Sequence, residues 1–257
     1  MRCEDRRPWT YRHPSLPEVV VAWQEMHETR PPALSLLDEA ERHRALHEEP
    51  RPRRPGFIVG VGLAKAIIAR WSGEDPAEVR LSRKCTHCGR AHGPVEVVRP
   101  SGFNVSMSHA RGVVGVAVSK RDYLVGLDVE AGIPHERLRH LAGVLSDIGV
   151  IDLSTGAAST DGLALLRAWV RWEALAKASG EGLSLDASRV GWQPQAPGRL
   201  LAYVRQPQRR DDTVPREQKE ADMYRVQDIP APPDHVSTLA VRFLDPRSTR
   251  HAAKDGP

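Results

Sequence analysis

Two acids stand two residues apart in the run Val125-Gly126-Leu127-Asp128-Val129-Glu130. The period of two predicts a strand that puts Asp128 and Glu130 on one face, with Leu127 and Val129 on the other. Two such carboxylates repel each other unless a cation lies between them. Hard oxygen ligands of this kind suit Mg²⁺, which keeps several waters and takes a substrate phosphate as well. The plainer alternative is an exposed strand face with two ordinary acids. Downstream, Trp169, Glu173 and Lys177 recur every four residues in a run that predicts the end of a helix, so the three share a face. A carboxylate beside an ammonium there either serves a metal-bound phosphate or is a surface pair worth a few tenths of a kcal/mol.

Together with Ser106-Met107-Ser108-His109, these stretches resemble the 4′-phosphopantetheinyl transferase superfamily. The likeness is to its larger, monomeric type, which modifies carrier proteins of secondary metabolism. The family pattern is a Ser-His pair, a (V/I)G(V/I)D(V/I)E strand, then W-x-x-K-E-A-x-x-K before a G-x-G-L turn. The same elements run here in that order, from about Val105 to Leu183, with one departure: Trp172 stands where the family has its first lysine.

The resemblance implies an α+β fold of two similar α/β halves related by a pseudo-twofold axis, with the active site at their interface. The halves would be 1–123 and 124–243, followed by a disordered tail, 244–257. It implies an enzyme that moves the 4′-phosphopantetheine arm of coenzyme A to a serine of an acyl or peptidyl carrier protein, releasing 3′,5′-ADP. Asp128, Glu130 and Glu173 would hold Mg²⁺, and Lys177 would contact a phosphate oxygen. Glu173, directly or through a water, would take the proton of the serine hydroxyl. Ser108 and His109 would contact a coenzyme A phosphate; the plainer reading of a lone histidine is a satisfied structural one, but its adjacency to Ser108 and its position before two strands favour the ligand. Family members carry basic residues for the 3′-phosphate near the loop Glu48 to Pro55, which makes Arg51, Arg53 and Arg54 candidates. The match of the next helix adds Lys65, whose plainer reading is the wet face of an amphipathic helix.

Trp172 keeps a second class open: a degenerate member that binds coenzyme A or a carrier protein without turnover. Arg171 is adjacent but points about 100° away around the helix, so it is no automatic substitute. A third class comes from Cys85-Thr86-His87-Cys88-Gly89, a turn of zinc-knuckle type. Zinc needs four ligands, usually from two such turns, and only one is present, unless His87 and His92 complete it.

The elements that must position these residues follow from pattern. Val19 to Trp23 reads as a first strand after a loose, polar 1–17. Pro32 to His47 and Phe57 to Trp71 have helical spacing. Val105 to Ala110 and the apolar Val113 to Val118 read as strands of the buried type. His135 to Ile148 reads as a helix, Asp152 to Ser159 as a polar segment, and Thr160 or Asp161 as the cap of the long helix ending at Ser179, with Gly180 closing it. A hairpin turns at Ala196-Pro197-Gly198. Gln206 to Ala221 is a charged, exposed insertion, and Val236 to Phe243 a last strand.

Composition excludes more than it names. The 257 residues are 40% hydrophobic, enough for a sizeable core. Net charge of +4 fits an anionic substrate, but with only 5% aromatics no stacking and basic array for nucleic acid is visible. No apolar run is long enough to span a membrane. The N-terminus lacks a signal-peptide core, and three cysteines without one argue for a reducing cytoplasm. The expectation is a cytoplasmic monomer whose partners are coenzyme A and a carrier protein.

Overall fold

Alternating apolar residues in the first half of the chain fold as six antiparallel strands. They are β1 (Trp9–His13), β2 (Leu16–Glu25), β3 (Arg80–Ser82), β4 (Glu96–Arg99), β5 (Phe103–Ala110) and β6 (Val113–Lys120), in spatial order β1-β2-β6-β5-β4-β3. A second antiparallel sheet follows: β7 (Tyr123–Ala131), β8 (Val190–Ala196), β9 (Arg199–Arg205), β10 (Ala221–Ile229) and β11 (His235–Phe243), in order β7-β11-β10-β9-β8. Among the described residues four α-helices accompany them: α1 (Glu39–His43), α2 (Arg54–Ser72), α3 (His135–Asp147) and α4 (Gly162–Ser179). The computed structural model describes residues 9–26, 34–84, 89, 93–132, 135–147, 161–206 and 221–244. The fold is mixed α+β.

The period of two divides each strand between two cores. Val19, Val21 and Trp23 of β2 and Val113 and Ala117 of β6 face the second sheet, where they meet Val125, Leu127 and Val129 of β7 and Leu239 of β11. The other face of the first sheet is covered by α2, whose Leu63, Ala64 and Ile68 pack on Val105, Val114, Val116 and Val118. On the second sheet α4 does the same, with Trp172 and Leu175 in one cluster with Ala202, Val204, Tyr224 and Val226. Each valine, leucine or isoleucine among them contributes about 1.5–3 kcal/mol when fully buried.

The two sheets meet at β5 and β7, and here side chains replace a backbone ladder. Even-numbered residues of β5 face β7. The amide of Leu127 donates to Ser106 Oγ at 2.9 Å, and that of Val129 to Ser108 Oγ at 3.4 Å. Two serines thereby satisfy amides on the free edge of β7, which would otherwise be orphaned inside the molecule. On its other face β7 carries Gly126, Asp128 and Glu130 beneath α4. A Cβ on Gly126 would lie 1.9 Å from the carbonyl oxygen of Ala174 and 2.5 Å from the amide of Ala178. Only glycine lets the helix approach this closely, and that approach brings its polar face down onto the two acids.

Several expectations hold. The strands at β5, β6, β7 and β11, the hairpin at 196–198, and α4 with Asp161 as its cap and Gly180 at its left-handed end are all present. Others need correction. The N-terminal segment is not loose throughout: residues 9–13 form β1, held in antiparallel register by β2, and Val19 to Trp23 is the middle of that second strand. The helix expected over Pro32 to His47 starts late: a short turn at 34–36 stands apart, Asp38 fixes the start of α1 through a reciprocal pair with Glu41, and α1 runs on into a wider turn at 44–48. β10 had no sequence signal strong enough to name. Residues 1–8, the Cys85, His87, Cys88 and His92 turn, the 152–159 segment, residues 207–220 and the tail beyond 244 lie outside the described residues. Among the described residues, no helix is long and apolar enough to cross a membrane.

Candidate active site

Asp128 is the centre of the site. It is buried at 4% exposure, between the buried Leu127 and Val129 along its strand and opposite Thr238 on β11. Its Oδ1 accepts from the Ser108 hydroxyl at 2.8 Å and from the Lys177 ammonium at 2.6 Å, while its Oδ2 is buried with no hydrogen-bond partner. Lys177 reaches down from α4, donates also to the Leu127 carbonyl at 3.1 Å, and stands 3.9 Å from Glu173 Oε2. β7 and α4 run in opposite senses. Lys177 therefore lies over Asp128, while Trp169, two turns earlier, hydrogen-bonds Glu130 through its side chain.

Three carboxylates thus share one ammonium. Burial pushes the Glu130 pKa up to about 7, the nearby Asp128 charge adds to the rise, and Lys177 and Trp169 oppose it. Glu173 is raised for the same first reason, burial, with Lys177 pulling it back and Asp128 pushing it on. Among the described residues no three His, Cys, Asp or Glu side chains are grouped as for a metal ion. The Lys177 ammonium stands between Asp128 and Glu173, where such a grouping would close. The donors nonetheless suit a hard divalent cation. They are all oxygens, Asp128 Oδ2 has no donor, and two further acids are destabilised as anions by burial and by the Asp128 charge.

Odd-numbered residues of β5 face α2, and His109 is one of them. Its ring lies against the first turn of that helix: a Cβ on Gly56 would come within 3.0 Å of the imidazole. One side of the ring is covered in this way, although the residue as a whole is exposed. That enclosure lowers the His109 pKa, and the charges of Arg53 and Lys177 lower it further, against Glu49. His109 therefore bridges the acid cluster and the basic start of α2, where exposed Arg53 is the capping residue and Arg54 opens the helix. A helix N-terminus with arginines and an imidazole favours an anion. Arg54 is partly committed, donating through Nη2 to the Leu46 carbonyl at 2.7 Å, and Arg51 lies exposed in the preceding turn.

The structure adds two residues that spacing did not suggest. Arg44 and Arg83 both stand over the Phe57 ring, at 5.1 and 5.9 Å from its centre. Burial draws the Arg83 pKa down to about 10, with Arg44 repelling it. The nearby acid, Glu49, is paired with Arg44 at 2.6 Å. Met107, next to Ser108, puts its sulfur 3.6 Å from Arg83. Positive charge thus exceeds negative charge here as surely as the reverse holds around Asp128. The two arginines are 39 positions apart along the chain, and no motif links them.

One assignment from the sequence falls away from the site, and two neighbours of Glu173 are used elsewhere in the fold. Lys65 is not on a wet face: it is fully buried, paired with Glu41 at 2.6 Å and bonded to the Leu36 carbonyl at 3.0 Å, so its charge is internal to the fold. Trp172, at 1% exposure, belongs to the core between α4 and the second sheet. A lysine at that position would carry its ammonium into that core, not toward Asp128. Arg171 is held by Asp228 in a two-point pair at 2.9 and 2.6 Å, and Thr238 donates to the same carboxylate at 3.1 Å. Asp128, Glu130, Glu173, Lys177, Ser108, His109 and Arg53 are brought together.

Compared with known proteins, the chain matches no protein-family model and no curated protein.

Proposed function

We propose that this chain is a 4′-phosphopantetheinyl transferase, which moves the 4′-phosphopantetheine of coenzyme A to a serine of an acyl or peptidyl carrier protein. It would be a cytoplasmic, monomeric enzyme built from two similar halves, 1–123 and 124–243, about a pseudo-twofold axis. The observation that carries the reading is the buried carboxylate of Asp128, held between the Ser108 hydroxyl and the Lys177 ammonium, with Glu130 and Glu173 beside it and an imidazole and arginines next to it. A surplus of acid beside a surplus of base suits a substrate whose diphosphate needs a cation and whose further phosphate needs cationic donors.

In the reaction the serine oxygen bonds to the phosphorus that carries the pantetheine arm, and the bond from that phosphorus to the bridging oxygen of the diphosphate breaks. 3′,5′-ADP leaves with the electron pair. Glu173, its proton affinity raised by burial, accepts the hydroxyl proton. Lys177 supplies a positive charge to a diphosphate oxygen. Asp128, Glu130 and Glu173 would hold Mg²⁺, which when bound neutralises charge developing on the leaving group. Ser108 positions Asp128 through its hydroxyl, and His109, Arg53 and Arg54, with Arg44 and Arg83, receive the 3′-phosphate. Lys65 has no part in it.

The test is an incubation with coenzyme A, Mg²⁺ and an apo carrier protein, read by intact mass. The expected result is a gain of one phosphopantetheine on the carrier. Coenzyme A binding without any mass gain would leave a protein that binds without turnover.

A further inference from the structure

The Lys177 ammonium has three donors. One meets Asp128 Oδ1 at 2.6 Å, one meets the Leu127 carbonyl at 3.1 Å, and Glu173 lies at 3.9 Å. The position is that of a cation between two carboxylates, and a single positive charge serves three acids there. Asp128 is more than nine-tenths buried, and its Oδ2 finds no donor. A divalent cation entering beside Oδ2 would face the ammonium across a few ångströms, where like charges repel strongly in a partly buried setting. Asp128 is fixed by its strand and by Ser108. Lys177 is held only through its ammonium, at the end of a four-carbon stem, and its side chain is 28% exposed.

We infer that Lys177 is a resident counter-ion in the seat of the divalent cation. It holds Asp128 and Glu173 while the cation is absent and is displaced when the cation binds, which releases its ammonium to meet an anionic ligand. The inference rests on the proposed function only for the identity of the cation, Mg²⁺.

The experiment is a calorimetric titration of Mg²⁺ alone into the full-length protein, into Lys177→Met and into Lys177→Gln. Removing the competitor is expected to tighten Mg²⁺ binding by about tenfold to a hundredfold, the worth of a charge-assisted contact. Arg53→Met removes a cation outside the seat and is expected to leave the affinity nearly unchanged. In the wild type, the Lys177 ammonium is expected to give a slowly exchanging ¹⁵N resonance that is lost on adding Mg²⁺. That reading decides the matter if the variants do not fold. Mg²⁺ binding that the Lys177 variants leave unchanged or weaken overturns the inference alone, as does equal tightening in Arg53→Met or an ammonium resonance indifferent to Mg²⁺. Absence of Mg²⁺ binding in every protein overturns it together with the magnesium assignment.

Discussion

Two lysine–carboxylate pairs in this molecule have the same length and opposite meanings. Lys65 and Glu41 meet at 2.6 Å, as do Lys177 and Asp128. Each carboxylate even keeps one buried oxygen without a hydrogen-bond partner. The difference lies in the surroundings. Lys65 serves one acid, is enclosed completely, and ties the capping residue pair of α1 to α2. Burial raises Glu41 as well, but Lys177 serves three acids, keeps a solvent path, and leaves two of them, Glu130 and Glu173, raised. An orphaned oxygen is therefore no mark of a site by itself. A charge imbalance that a ligand can reach is such a mark, because folding has left there an electrostatic cost that binding relieves.

The contrast breaks or sharpens under four changes. The largest effect belongs to the closed pair. Lys65→Met should cost about 3–5 kcal/mol in chemical denaturation, since it strands a buried carboxylate, and should leave coenzyme A affinity alone. A loss below about 1 kcal/mol, the range of surface pairs, would make the two lysines alike in kind. At the open pair, Asp128→Ala should lower the transfer rate by about 10²–10³-fold or more with the fold kept, because removing one of three crowded acids also relieves repulsion. Transfer at the wild-type rate would remove Asp128 from the chemistry.

A smaller effect is expected across the seam. His109→Ala should weaken coenzyme A by about tenfold to a hundredfold and dephospho-coenzyme A less, because only the former carries the 3′-phosphate. Equal losses in a calorimetric titration would detach His109 from that phosphate. The smallest effect is a slope. Glu130 has its pKa raised to about 7, so its contribution to stability is full below the ordinary value of 4.5 and is lost as pH rises through 7. Without divalent cation, the stability of wild type relative to Glu130→Gln should therefore fall from about pH 5 to about pH 8. A flat difference would mean that the acids around Lys177 are not crowded.

Much of this was legible in the residues. The alternation of β7 put Asp128 and Glu130 on one face, and the four-residue recurrence on α4 put Trp169, Glu173 and Lys177 on another. Both are local periods, set by backbone geometry wherever the elements form. That the two faces meet was written only indirectly, in Gly126, whose missing side chain lets α4 sit on β7. The departure at Trp172 was legible as a residue but not as a direction.

By itself, then, the sequence determined the strands and helices of the site and the chemistry each offers, because periodicity and caps depend on near neighbours. Tertiary structure alone decided which charges are used up in the fold and which stay open. It enclosed Lys65 with Glu41, gave Arg171 to Asp228, sent Trp172 into the core, and set Arg44 and Arg83 about one phenyl ring. The physical reason is that a charge is costly or cheap according to what surrounds it, and those surroundings come from residues far apart along the chain.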